Sequence, residues 1–132
     1  MPDQNPADIA AKVAAAVSEA AFAGIIVTVV TDAGSRPMVT SIDHPAIRAA
    51  ARAVAAVFGK NPVFTREGGS IPAVESFARL MGMPAVLLGD GLADDGVHAP
   101  NARFDLSMYA KGVRVFAHLW DELAVPLSPS RQ

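Results

Sequence analysis

Cysteine is absent from the 132 residues, which excludes disulfide-stabilised scaffolds, thiol nucleophiles and cysteine-based zinc sites. Only three histidines are present, so histidine or metal chemistry must use His44, His98 or His118. The 11 basic and 13 acidic side chains nearly cancel, to a formal net charge of -2, which disfavours nucleic acid and anionic membranes as partners. The uncharged stretch 20–31 is too short to span a bilayer, and no signal-like segment opens the chain. We therefore expect a soluble, cytoplasmic protein.

Alanine accounts for 26 of the 132 residues, so the hydrophobic fraction of 52% overstates the size of the core. An alanine side chain buries little area, and hydrophobic stabilisation follows the area buried. The length allows one compact domain or pieces of two.

Segments typical of helices and strands alternate along the chain. Apolar residues recur at three- and four-residue spacing in four segments, each preceded by a residue that can cap a helix N-terminus. The predicted caps are Asn5, Asp43, Ser70 and Asp105. Gly59 and Gly82 are placed to end the second and third helices. The predicted strands are 25–30, 63–65 and 85–88, and 38–42 is also expected to be extended. This order predicts an α/β fold, a small mostly parallel sheet with helices on its faces.

Two unusual loops follow the second and third predicted strands, where ligands of open α/β sheets collect. The first is REGGSIP, residues 66–72, in which glycines and Ser70 at a helix N-terminus could receive a carboxylate or phosphate. An ordinary glycine turn with a capping serine explains the same pattern equally well.

The second loop, residues 89–101, carries Asp90, Asp94, Asp95 and His98. Carboxylates beside a histidine suit a metal site or a histidine oriented by aspartate, although a polar surface loop has the same composition. The other two histidines are expected at the surface, His44 in a first helical turn and His118 on the last helix.

A nucleophilic triad is also conceivable, with Ser70 attacking, His98 as base and Asp94 or Asp95 orienting it. The Gly68-Gly69-Ser70-Ile71-Pro72 segment lacks the second glycine of the GxSxG elbow, which weakens this alternative.

The pair of loops, REGGSIP and then LLGDGLADDGVHAPNARFDL, resembles the carboxyl-terminal part of the dinuclear zinc peptidases. That family includes carnosine dipeptidase, glutamate carboxypeptidase and aminoacylase, and the resemblance is closest to its dipeptidase branch. It implies three regions, a partial lid (dimerisation) domain at 1–40, the carboxyl-terminal half of the catalytic domain at 41–124, and a flexible tail at 125–132.

The resemblance also implies roles for individual residues. His98 matches the metal-ligating histidine of the family's HxxN motif, and zinc or another divalent metal is the implied cofactor. Gly69 and Ser70 match the segment that receives the substrate's terminal carboxylate, and Arg66, with Glu67, belongs to the same motif. The chain departs from the family at Ala102, where a carboxylate is usual, and at Asp90, where an apolar residue is usual.

The family's HxD motif, bridging aspartate and adjacent glutamate pair do not occur in this sequence. The favoured interpretation is therefore a truncated hydrolase of dipeptides or N-acyl amino acids, without peptidase activity alone. The first alternative is a working hydrolase of an ester, lactone or amide that uses Ser70, His98 and Asp95 or a metal shared across an oligomer. The second is a non-catalytic oligomerisation module. A homo-oligomer or a missing amino-terminal half is the expected partner, and whether the chain is itself an enzyme is left open.

Overall fold

Four α-helices joined by extended and turn segments make up the computed structural model, which describes residues 3–32, 34–66 and 71–124. Their bounds are α1 Pro6–Glu19, α2 Pro45–Phe58, α3 Pro72–Met81 and α4 Leu106–Ala124. All four helices were predicted from the sequence. None of the helices in this part of the chain is long and apolar enough to cross a membrane.

The N-termini of α1 and α2 are capped by side chains that precede a proline. Asn5 Oδ1 accepts a hydrogen bond from Ala7 N at 3.2 Å, as the sequence predicted. The α2 cap is His44, whose Nδ1 accepts from Ala46 N at 3.2 Å. The prediction of Asp43 as cap was wrong, because Pro45 begins the helix and holds the residue before it in an extended conformation. His44 is accordingly half-buried rather than exposed.

Asp105 caps α4, as predicted, and accepts from Ser107 Oγ at 2.5 Å, Ser107 N at 2.8 Å and Met108 N at 3.0 Å. The hydrogen bond from the Ser107 hydroxyl, followed by that from the Met108 amide, holds the pKa of Asp105 below its ordinary value of 3.8. The α3 cap position is Ile71, which makes no side-chain capping bond, and Ser70 lies outside the described residues.

Left-handed glycines end two helices where the sequence predicted them. Gly59 follows α2 with φ 68° and Gly82 follows α3 with φ 63°. Such a conformation carries no steric penalty for glycine, so a glycine that follows a helical pattern predicts where the helix ends.

The predicted parallel sheet is not confirmed, because no strand occurs within residues 3–32, 34–66 and 71–124. The segments 25–30, 63–65 and 85–88 are non-helical, but none is paired into a ladder. Most of the large apolar side chains in the first two segments face solvent, and Ile26 is 96% exposed, whereas Val86 and Leu88 are partly buried. A strand is defined by a ladder of hydrogen bonds to a neighbouring strand, and no such ladder is formed within the described ranges.

The chain divides into two compact units, Met1–Val39 with Glu67–Ala85 and Thr40–Arg66 with Val86–Gln132. The first contains α1 and α3. In the second, α2 packs on α4 through a core of small side chains, Ala49, Ala50, Ala53 and Val115, with Gly112 buried beside them. The lid and catalytic-domain boundaries at 40 and 41 stay a prediction, and the tail 125–132 lies outside the described residues.

Two polar contacts accompany the small core of the second unit. Arg52 Nε on α2 lies 2.6 Å from Glu122 Oε2 on α4. The Lys111 ammonium of α4 lies 5.3 Å from the centroid of the Phe58 ring, close enough for a cation–π contact.

The opposite face of α4 is apolar and exposed. Its stripe is Leu106, Tyr109, Val113, Phe116 and Trp120. Trp120 is 71% exposed, and the nearby His118 is also at the surface, as predicted. Apart from an edge-to-face contact between the Phe104 and Tyr109 rings, whose centroids lie 6.3 Å apart, this stripe is largely exposed in the described part of the chain.

Candidate metal-ligand loop

Two consecutive turns carry His98 and Asn101 in the second unit. Ala99 N donates to Gly96 O at 2.8 Å, which closes the turn 96–99, and Ala102 N donates to Ala99 O at 3.2 Å, which closes the turn 99–102. The two turns share Ala99. His98 and Asn101 each occupy the third position of a turn, and this repeated geometry accounts for the three-residue spacing of the HxxN motif.

Both motif residues adopt the left-handed backbone region, His98 with φ 65° and Asn101 with φ 63°. A type II turn requires a positive φ at its third position, and Pro100-Asn101 is a favourable central pair. Asparagine tolerates this region well, whereas histidine visits it at some cost in free energy. The His98 side chain is exposed and is therefore accessible to a ligand.

A buried carboxylate, that of Asp95, immediately precedes the two turns in the sequence. Asp95 is only 1% exposed, and its Oδ2 accepts from Leu92 N at 2.7 Å. The Asp95 amide donates back to Leu92 O at 3.1 Å, and Asp95 O accepts from Arg103 N at 2.8 Å. Hydrogen bonds therefore join Asp95 to Leu92, which precedes the segment that carries His98, and to Arg103, which follows it.

Arg103 is the cation of this loop. Its Nη2 pairs with the exposed carboxylate of Asp94, and its Nε lies 3.9 Å from Asp95 Oδ1. That Oδ1 is buried and accepts no hydrogen bond from any described residue. The guanidinium compensates part of the electrostatic cost of burying the Asp95 carboxylate.

Asp90 lies against α4 rather than in the turns. Its Oδ2 occupies the space beside Gly112 that a side chain at position 112 would fill. Glycine inside a helix is unfavourable, and here its missing Cβ makes room for the carboxylate. This close approach was not predicted, although a glycine within a helical pattern is a signal of one.

The predicted anion-binding loop is only partly within the structure. Arg66 is exposed at the end of an extended segment, whereas Glu67, Gly69 and Ser70 lie outside the described residues. In the first unit, a groove of about 720 Å³ runs along the first turns of α3 and is lined by Arg36 and Arg79 among others. Arg79 pairs with Glu75 at 3.1 Å, while Arg36 forms no ion pair with any described residue. Arg36 was not predicted as a site residue, because no sequence motif marks it.

A metal ion fits the described residues only in part. Residues 3–32, 34–66 and 71–124 contain no group of three histidine or acidic side chains close enough to hold one. His98 can supply a single imidazole ligand, whereas a catalytic zinc site normally takes three protein ligands. The remaining ligands would have to come from elsewhere.

The residues of the alternative triad are only partly described. The Asp95 carboxylate is engaged by Leu92 N and faces Arg103, and within the described ranges it makes no hydrogen bond to His98. Ser70 lies outside those ranges, so the triad stays a prediction.

Comparison with known proteins gives consistent matches. The sequence profile described as Peptidase family M20/M25/M40 matches residues 4–122. The Cys-Gly metallodipeptidase dug1 of Schizosaccharomyces pombe is 37% identical over 86 residues, 65% of this chain and 18% of the relative. The Beta-Ala-His dipeptidase of Homo sapiens is 34% identical over 91 residues, 69% of this chain and 18% of the relative.

A solved structure matches as well. The dipeptidase Dug1p of Saccharomyces cerevisiae superposes with a TM-score of 0.64 at 33% identity, over 70% of this chain and 19% of that one. The chain thus spans about a fifth of the length of the relatives it matches.

Proposed function

The chain belongs to peptidase family M20/M25/M40, and we propose that it supplies one part of the active site of a metal-dependent dipeptide hydrolase. The observation that carries the proposal is the exposed imidazole of His98, presented at the third position of a closed turn. Two relatives named as dipeptidases, one of them as a metallodipeptidase, support the choice of reaction.

In this proposal His98 provides one ligand to zinc or another divalent ion. When bound, such an ion supplies Lewis-acid activation of the scissile carbonyl and of water. The double turn contributes orientation, because its two hydrogen bonds fix the backbone from which the imidazole projects. The absence of a three-ligand cluster among the described residues supports the view that other polypeptide segments complete the site.

The substrate's terminal carboxylate is assigned to the loop that follows residue 65. Arg66, Gly69 and Ser70 would receive it, with the backbone amides at the start of α3 contributing partial positive charge. Arg36 lines the groove along the first turns of α3 in the first unit, and its guanidinium is proposed as a carboxylate partner there, because it can pair in a bidentate manner.

The extended segments 25–30, 63–65 and 85–88 are proposed to become strands of a parallel sheet when neighbouring strands are supplied. Their exposed apolar side chains and the fold likeness to Dug1p support this assignment. The chain alone is therefore proposed to lack peptidase activity, and its partner is the remainder of a catalytic domain or a second copy.

A hybrid enzyme tests the proposal. The matching segment of Saccharomyces cerevisiae Dug1p is replaced by this chain, and hydrolysis of Cys-Gly and β-Ala-His is measured with zinc present. We expect the isolated chain to be inactive and the hybrid to be active. His98→Ala should lower the hybrid's activity by more than about 100-fold, because even residues that only support a metal ligand have effects up to that size.

His118→Ala is the matched control, since His118 is an exposed histidine on α4. It should leave the hybrid's activity unchanged. Equal activity of the two histidine variants would contradict the proposed role of His98.

The esterase alternative receives a separate test. If the isolated chain hydrolyses an activated ester and Ser70→Ala keeps full activity, the Ser70 triad is eliminated.

A second candidate function, assembly through exposed apolar faces, is favoured by the exposed apolar stripe on α4.

A further inference from the structure

We infer that Asp95 is the positioning residue of the loop 95–103, and that its hydrogen bonds hold His98 and Asn101 in their left-handed conformations. The inference rests on the proposed function, in which His98 binds the metal. It extends that function by assigning a role to a carboxylate that touches neither substrate nor metal in the proposal.

The bonding pattern around Asp95 encloses the double turn. Leu92 exchanges two hydrogen bonds with Asp95, one to the carboxylate and one from the amide. Arg103 N donates to Asp95 O on the far side of both turns. The seven residues between Asp95 and Arg103 are thus closed into a loop whose two ends meet at Asp95.

The loop contains a conformation that needs such support. His98 and Asn101 are the two non-glycine residues with positive φ in the described part of the chain, and they lie within one closed segment. A left-handed histidine persists where the surrounding structure over-determines it. The hydrogen bonds donated by Ala99 N and Ala102 N each close a single turn. The hydrogen bond from Arg103 N to Asp95 O spans both turns and connects them to the buried Asp95.

Asp95 differs from its sequence neighbour Asp94 in how far it is buried. Asp94 is exposed and pairs with Arg103 in solvent, where such a pair contributes little. Asp95 is buried with a hydrogen-bonded Oδ2 and a free Oδ1 facing the same arginine. Removal of the Asp95 side chain leaves Leu92 N without its acceptor and loosens the backbone at Asp95, the residue whose carbonyl accepts the closing bond from Arg103 N.

Amide hydrogen exchange by NMR on the complete chain, without metal, tests the inference. In Asp95→Ala, exchange at the Ala99, Ala102 and Arg103 amides should rise by at least about tenfold, the usual scale for one lost buried hydrogen bond. The φ-sensitive three-bond couplings of His98 should move away from their left-handed values. Protection in α2 and α4 should stay within about threefold of the original chain.

Two further variants complete the experiment. Asp95→Asn keeps an acceptor for Leu92 N and should restore both the exchange rates and the His98 couplings. Asp94→Ala, the matched control, should change neither.

Unchanged couplings in Asp95→Ala would overturn the inference, as would equal effects of the Asp94 and Asp95 variants. A uniform loss of protection that includes α2 and α4 would also overturn it, because Asp95 would then be merely structural. The exchange experiment contains neither metal nor substrate, so its failure is distinguishable from failure of the proposed function. The latter would appear as equal activity of the His98→Ala and His118→Ala hybrids.

Discussion

At the scale of single residues, neighbours of the same type have different roles in this chain. Asp94 and Asp95 are adjacent, yet one is exposed and the other is 1% exposed. The Pro100-Asn101 turn could be predicted from residue preferences, whereas the left-handed His98 could not, because histidine has no strong preference for that region. Burial of Asp95 depends on Leu92 and Arg103 meeting it in space, which composition does not reveal.

The contact between Asp90 and Gly112 leads to a steric prediction. A Cβ at position 112 would overlap Asp90 Oδ2, so Gly112→Ala should force the Asp90 carboxylate to turn away and destabilise the protein by about 1 kcal/mol, the low end of overpacking costs. Asp90→Ala removes the obstruction. In that background Gly112→Ala should stabilise by about 0.5–1 kcal/mol, the ordinary preference of a helix for alanine over glycine.

Urea unfolding of the original chain, the two single variants and the double variant measures this double-mutant cycle. The effect of Gly112→Ala on the free energy of unfolding should be destabilising in the original chain and stabilising in the Asp90→Ala background. Additive effects would mean that the carboxylate does not occupy the space beside Gly112.

At the scale of elements, the helices are confirmed, whereas the predicted strands are not confirmed. A helix satisfies its backbone within itself, and its ends are marked by neighbours in sequence, as at Asn5 with Pro6 and at Gly59. The segment 25–30 has a clear β-branched pattern, but a strand also needs a partner that sequence pattern cannot provide. The same limit applies to the loop 89–101, because the burial of Asp95 depends on hydrogen bonds with Leu92 and Arg103 that no local pattern marks.

The cap of α4 leads to a pH prediction. The pKa of Asp105 is lowered in the folded state, so its stabilisation is fully present above the ordinary value of 3.8. That stabilisation is lost as pH falls through the lower folded-state pKa. Amide exchange at Ser107 and Met108, compared between pH 5 and pH 3, should therefore show loss of protection on acidification.

Asp105→Asn is the control, since asparagine caps a helix without a charge. Its exchange at the same amides should change much less across this pH range. An equal acid response in both chains would place the titrating group elsewhere.

At the scale of the whole molecule, uncovered apolar surface is the main feature. The α4 stripe and the extended segments expose large side chains that a monomeric globular protein normally buries. The chain also spans about a fifth of the length of its relatives, which have further polypeptide available to cover such faces.

This surface predicts self-association of the isolated chain. The weight-average mass in sedimentation velocity should rise with protein concentration. Trp120→Glu places a charge in the exposed stripe and should lower that mass towards the monomer value. His118→Glu adds the same charge to an exposed position outside the stripe and should have little effect, whereas equal effects of both variants would indicate nonspecific charge repulsion.

The composition of the core has a further consequence for how the isolated chain melts. Its fully buried apolar side chains in the described part are three alanines and one valine, so unfolding hydrates little new hydrocarbon. The heat-capacity increment and the enthalpy of unfolding both grow with the surface exposed. Calorimetry of dilute, unassociated chain should therefore show a shallow, broad endotherm rather than the sharp transition typical of a domain of this length.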